Sequence, residues 1–235
     1  MTMRILLINP NTTSSMTDSM VVAAQEVAAP GTEVIGATVE DSVPFIDGFY
    51  DEALAAAAVA RCVLERRGTF DAAIIACFGD PGLFAARELA DAPVLGIAEA
   101  SFALAASLGH RFGVVGTVDR GVAGTMDLLR HYGIESRCAA IEASGAEVVD
   151  LGDDPMASLG ALEDAGRRAV AAGAEVLCLG CGLMLETRSA LEERLGVPVV
   201  EGVPAAVVLA ESLVRLGLRT SKIRTFQEPA TVPTA

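Results

Sequence analysis

The sequence predicts an α/β protein of two similar halves with mainly parallel sheets, related by a pseudo-twofold, with the active site in the cleft between them. Three observations carry this. Short apolar runs of strand length alternate with longer Ala- and Leu-rich segments of helical period, the pattern of βα units on a parallel sheet. The chain repeats itself: Arg4-Ile5-Leu6-Leu7-Ile8 is echoed 107 residues later by Arg111-Phe112-Gly113-Val114-Val115, the run from Asp71 to Cys77 is echoed 104 residues later by that from Glu175 to Cys181, and Ala92-Pro93-Val94-Leu95 is echoed 105 residues later by Val197-Pro198-Val199-Val200. The length, 235 residues, suits one large domain or two compact halves. The first half is assigned to residues 1–98 completed by 208–235, and the second to 99–207.

In chain order, apolar runs place strands at 5–9, 33–38, 72–76, 94–97, 111–116, 135–141, 176–179 and 199–202. Helical periodicity fills the intervals at 14–28, 50–67, 81–90, 99–108, 122–132, 155–172, 189–195 and 204–216. Asp80 is placed to cap a helix whose first turn holds Pro81. Residues 220–235 are mostly polar, include Pro229 and Pro233, and read as a tail.

Composition removes several function classes. The longest uninterrupted apolar stretch, residues 53–60, is far short of the roughly 20 residues that span a bilayer, so no membrane partner is expected. Residues 1–4 run into four apolar residues and then Asn9-Pro10-Asn11, without the apolar core and cleavage site of a secretory signal, which points to the cytoplasm. The net charge is −14 and Lys222 is the single lysine, so no basic patch exists to neutralise nucleic-acid phosphates. Two histidines, His110 and His131, leave no His-rich metal site, and an all-cysteine zinc site would need a second close pair beside Cys178 and Cys181. No metal or cofactor is therefore expected.

Five cysteines, an odd number without a secretion signal, indicate free thiols. Cys62, Cys138 and Cys178 sit within predicted elements, where cysteine acts as a small hydrophobe. Cys77 and Cys181 differ, because the repeat puts each just beyond the carboxyl end of a strand, where parallel α/β sheets bind ligands. Glycines flank both, Gly79 and Gly82 around one and Gly180 and Gly182 around the other, and permit close backbone approach to a ligand. A thiol there is expected to see the positive end of a helix and to favour thiolate. The Cys178-x-x-Cys181 spacing allows a redox pair, but such pairs belong at a helix start and Cys178 lies inside a strand.

At these residues a family resemblance enters. Ile8-Asn9-Pro10-Asn11-Thr12, Gly48-Phe49-Tyr50-Asp51-Glu52-Ala53, Ala76-Cys77-Phe78-Gly79-Asp80-Pro81-Gly82, Leu108-Gly109-His110-Arg111-Phe112, Leu179-Gly180-Cys181 and Leu218-Arg219-Thr220-Ser221-Lys222 together resemble the hydantoin racemases, which belong to the aspartate/glutamate racemase superfamily and include allantoin racemases. The resemblance covers nearly the whole chain. It implies a cofactor-independent racemase or epimerase with a cysteine on either face of its substrate, and a homo-oligomer. Amino-acid racemases of the superfamily carry Asn-Thr after the first cysteine and Thr-His after the second, whereas this chain has Phe78-Gly79 and Gly182-Leu183, so free glutamate or aspartate is a poor substrate. Where hydantoin racemases read Cys-Ala-Gly-Met, this chain reads Cys181-Gly182-Leu183-Met184, and Phe102 replaces a more polar residue; both bear on side-chain specificity.

The substrate implied is a 5-substituted hydantoin, allantoin among them, with Cys77 and Cys181 as the two bases. Removing the C5 proton leaves an enolate, whose oxygen needs donors. The backbone N–H groups of Phe78, Gly79, Val118 and Gly182 are expected to serve, with the side chains of Asn11 and Thr117 binding ring carbonyls or N–H groups. Asn11 is equally suited to capping the first helix. Arg120 is read as pairing with surface carboxylates. The alternatives are a decarboxylase, a cis-trans isomerase or an amino-acid racemase using the same cysteines, and a non-catalytic small-molecule binding protein.

Overall fold

The computed structural model describes residues 2–147, 151 and 154–232. Two four-stranded parallel sheets are present. The first runs β2-β1-β3-β4, from β1 (Met3–Asn9), β2 (Thr32–Thr38), β3 (Ala72–Ile75) and β4 (Val94–Gly96). The second runs β6-β5-β7-β8, from β5 (Phe112–Gly116), β6 (Cys138–Ala143), β7 (Val176–Leu179) and β8 (Val199–Val200). Eight α-helices are described: α1 (Ser14–Val27), α2 (Phe49–Glu65), α3 (Leu83–Leu89), α4 (Ile97–Leu108), α5 (Gly121–His131), α6 (Leu159–Ala171), α7 (Arg188–Leu195) and α8 (Gly202–Arg215).

The repeat seen in the sequence is a repeat of register. Ile5 pairs with Ala72 and Ala73 with Val94; at their echoes Phe112 pairs with Val176 and Leu177 with Val199. The ladder ends match too, the Ala76 N–H reaching the Ile8 carbonyl and the Gly180 N–H the Val115 carbonyl, both at 2.8 Å. The central strands β3 and β7 are wholly buried, as sheets covered by helices on both faces require. Side chains of β1 alternate between two cores: Ile5 and Leu7 enter the large core that runs through both halves, Leu6 and Ile8 a smaller one beneath α2 and α3.

The last helix of each half crosses over. Helix α4 follows β4 yet packs on β5, β7 and β8, while α8 follows β8 yet packs on β1, β3 and β4. They begin against each other, since a Cβ on Gly202 would stand 2.8 Å from Ile97 Cβ and 3.0 Å from its carbonyl oxygen.

Several boundaries move. The helix expected from Pro81 begins at Leu83, with Gly82 at φ 76° as its N-cap. The strand expected at 135–141 opens with a 3-10 turn, Glu135–Arg137, before β6. The helix expected at 155–172 opens with the 3-10 turn Pro155–Ser158. Gly202, expected at a strand end, is the first residue of α8. The tail is strapped down over its described part: the Thr220 N–H donates to the Asp91 carbonyl, Lys222 Nζ donates to the Arg87 and Glu88 carbonyls at the end of α3, and Phe226 stacks on Phe84 with centroids 5.9 Å apart. A cation at a helix C-terminus offsets the exposed carbonyl charge there.

Candidate active site

In each sheet the chain turns one way from its first strand to reach the second strand and the other way to reach the third. The crevice at the carboxyl ends of β1 and β3, or of β5 and β7, is thus a topological switch point, where open α/β sheets bind ligands. The two crevices merge into one cleft enclosing about 120 Å³, sized for a small molecule. Asn11, Cys77, Phe78, Gly79, Thr117, Val118, Cys181 and Gly182 all line it, so the structure brings together the two cysteines and the six residues expected to bind substrate.

The two cysteine turns are copies. In each turn the backbone N–H two residues on, that of Gly79 beside Cys77 and of Leu183 beside Cys181, favours the thiolate. Each cysteine carbonyl then accepts an N–H three residues on, from Asp80 at 2.9 Å and from Met184 at 3.4 Å. The Phe78 and Gly182 amides occupy equivalent places, and among the described residues neither these nor the Val118 amide bonds to a protein acceptor. The Gly79 N–H also favours the Cys77 thiolate. Both cysteines are half-buried.

The thiol chemistry also departs from expectation. Burial pushes Cys77 up to about 12, opposed by the Gly79 N–H and reinforced by the charges of Cys181, Asp80 and Glu52. Burial likewise pushes Cys181 up to about 11, with the Leu183 N–H opposing and Asp47 adding. Helix dipoles do not rescue the thiolate, because α3 and α7 start six and seven residues beyond their cysteines. Burial thus leaves both sulfurs as thiols near neutrality, and the charge of Cys181 further opposes ionisation of Cys77.

Asn11 is held by Asn9, whose Nδ2 donates to Asn11 Oδ1 at 2.9 Å and to Thr17 Oγ1 at 3.0 Å. Asn11 Oδ1 also accepts the Thr13 N–H, closing the turn ahead of α1, whose N-cap is Thr13 itself. The Asn11 amide nitrogen retains only the Met16 sulfur at 3.6 Å and faces the cleft. Asp80 caps α4 and not the helix that follows it: its carboxylate accepts the Ala98 and Glu99 N–H groups at 3.0 and 2.9 Å and the Tyr132 hydroxyl at 2.7 Å. Phe102 is 1% exposed, stacked on Phe112 and edge-on to Phe78, so it supports the cleft from behind. Arg120 forms no ion pair among the described residues, and its guanidinium lies over Gly48 at the cleft rim.

Cys178 is buried in β7, its thiol directed at the Ser101 carbonyl. The sequence reading missed the far wall, formed by Ile46, Asp47, Phe49 and Glu52. Its signal was the Gly48–Glu52 segment, which resembled the family but carried no role. Among the described residues no group of three or more His, Cys, Asp or Glu side chains could hold a metal ion.

Comparison with known proteins decides the family. The family described as Asp/Glu/Hydantoin racemase matches residues 5–210. The chain belongs to this family. A hydantoin racemase from Pseudomonas sp. (strain NS671) is 42% identical over 97% of this chain and 92% of its own length. An allantoin racemase from Klebsiella pneumoniae is 41% identical with a TM-score of 0.94 over 100% of this chain and 96% of its own, and one from Pseudomonas fluorescens is 44% identical with a TM-score of 0.94, covering 99% and 100%. Arylmalonate decarboxylase, at 19% identity and a TM-score of 0.64, shares the fold. The protein is an isomerase of the racemase class.

Proposed function

We propose that this racemase inverts C5 of 5-substituted hydantoins by two-base proton transfer between Cys77 and Cys181. The observation that carries the reading is the pair of matching cysteine turns at one cleft, each with a half-buried sulfur. One sulfur, as thiolate, takes the C5 proton and becomes a thiol. The electron pair left on C5 delocalises onto the adjacent carbonyl oxygen, where the free N–H groups of Phe78, Val118 and Gly182 can donate. The opposite thiol delivers its proton to the other face and becomes the thiolate, ready for the reverse reaction. Asn11 and Thr117 orient the ring.

The two thiols suffice for the proton transfers, so the reading needs no metal or organic cofactor. It places the enzyme in the cytoplasm as a homo-oligomer, with the exposed apolar Phe49, Tyr50 and Leu54 of α2 supporting self-association. The crossover of α4 and α8 supports a first domain of residues 1–98 with 208–235 and a second of 99–207.

Serine is nearly isosteric with cysteine but a far weaker acid, so Cys77→Ser and Cys181→Ser should each lose racemisation by orders of magnitude while folding normally. In deuterated water each variant should still exchange the C5 proton of one enantiomer without inversion, and the two should select opposite enantiomers. Exchange of the same enantiomer by both, or full racemisation by either, refutes the mechanism.

A further inference from the structure

Asp80 follows Cys77 by three residues, and its N–H donates to the Cys77 carbonyl at 2.9 Å. Its side chain is 5% exposed and stands outside the cleft lining. The carboxylate is aimed at the start of α4, where Oδ1 accepts the Ala98 N–H at 3.0 Å and Oδ2 the Glu99 N–H at 2.9 Å, bonds that an N-cap side chain ordinarily makes. The N-cap itself is Gly96, which has no side chain to offer. Oδ2 also accepts the Tyr132 hydroxyl at 2.7 Å, and an ion pair from Arg87 of α3 to Glu99 braces the same turn of α4.

That turn leads on to the other cysteine. Ile97, the first residue of α4, is fully buried, and its Cδ1 lies 3.6 Å from where a Cβ on Gly182 would stand and 3.3 Å from where one on Gly202 would stand. Gly182 adjoins Cys181. A strut therefore joins the two cysteine turns behind the cleft, made of the Asp80 carboxylate, the first turn of α4 and the Ile97 side chain.

We infer that Asp80 is a positioning residue for proton transfer, holding the first turn of α4, and through Ile97 the Cys181 turn, at the span from Cys77 that lets each sulfur reach one face of the same carbon. This rests on the two-base reading. Inversion needs the second thiol in reach while the enolate lasts, and a misplacement of ~1 Å can cost about 100-fold in rate. Deprotonation needs only one sulfur, so a loosened span separates the two events. An enolate that waits gives the first sulfur time to exchange its proton with solvent and return a deuteron to the face it left. The charge of Asp80 acts in the opposite sense, because it opposes ionisation of Cys77, and its removal would by charge alone speed the reaction.

Two variants test the strut at different points. Asp80→Asn sets an amide N–H against one of the two helix N–H groups in either orientation, and Ile97→Val keeps the cap but deletes Cδ1. With folding checked by circular dichroism, each receives one enantiomer of allantoin or of 5-isobutylhydantoin, whichever wild type racemises, in deuterated water. Deuterium in unreacted substrate, less spontaneous exchange, is compared with inversion. Asp80→Asn should lower kcat for racemisation about 10- to 100-fold with KM held within about threefold, and should raise the ratio of retentive exchange to inversion about tenfold. Ile97→Val should raise that ratio about two- to fivefold, and decides alone if Asp80→Asn does not fold. An unchanged ratio in either folded variant, or faster racemisation by Asp80→Asn, overturns the inference and leaves two-base chemistry standing. Full racemisation by Cys77→Ser, or a wild type inert toward both compounds, overturns the two-base hydantoin reading, and this inference with it.

Discussion

Cys77 and Cys181 combine an accessible position with a reluctant charge. Burial, which pushes them up to about 12 and 11, outweighs the backbone N–H beside each sulfur, so both rest as thiols. A group raised in this way gains its basic form only as pH climbs. We therefore expect kcat/KM to rise about tenfold per unit between about pH 6.5 and 8.5, with no plateau, once spontaneous racemisation is subtracted. A flat profile across that window would mean a preformed thiolate. The glycines nearby separate fold from function. At Gly182 a Cβ would meet the flexible Met20 sulfur at 2.9 Å, whereas at Gly202 it would meet Ile97 Cβ and backbone. Valine therefore does a different kind of harm at 182 and at 202. Gly202→Val should lower stability by about 2–3 kcal/mol, and Gly182→Val should lower turnover in a protein that still folds. Denaturant melts and turnover of both variants check this, and an unfolded Gly182→Val protein would contradict it.

At the scale of elements, the Cys77 turn is bolted to two helices of the second half through Asp80. Its φ of 46°, unusual for a residue with a Cβ, aims the carboxylate at the N-terminus of α4, while Tyr132 at the end of α5 supplies a third donor. Gly96 makes this possible, since a Cβ there would stand 2.0 Å from Asp80 Cγ. Gly96→Ala should expel the carboxylate, leave α4 uncapped and cost more than about 3 kcal/mol. In an Asp80→Gly background, which also relieves the positive φ, the same substitution should cost less than about 1 kcal/mol. Equal costs in the two backgrounds, measured by urea unfolding, would show that Asp80 and Gly96 are not coupled.

Across the whole molecule, the halves are joined by exchanged helices as well as by the cleft. Glu211 of α8 is 4% exposed and accepts the Ala29 N–H at 2.8 Å and the Thr32 hydroxyl at 2.6 Å, while Arg215 pairs with its other oxygen at 3.0 Å. The last helix is thereby tied to the turn between α1 and β2. Glu211→Leu leaves two donors without an acceptor and should cost about 2–4 kcal/mol, with faster amide exchange at residues 29–32. Unchanged exchange there would show that α8 is held by apolar packing alone.

Much of this protein was legible in its sequence because the signals are local. The continuous apolar runs of β1, β3 and β7 mark central strands, and the offsets of 104 to 107 residues announce a fold that repeats down to its register. A strand end is also a local feature, which is why Cys77, Cys181 and the residues beside them could be assigned to a ligand crevice before any contact was known. Tertiary structure decided what depends on distant segments meeting. Asp80 caps a helix whose N–H groups lie 18 and 19 residues on and binds a hydroxyl 52 residues on. Glu52 reaches the Cys77 turn from another helix, and α8 returns to cover the sheet with which the chain began. The thiol ionisation belongs to the same class, because desolvation sums over every neighbour that excludes water, and in this cleft that sum exceeds what one backbone N–H restores.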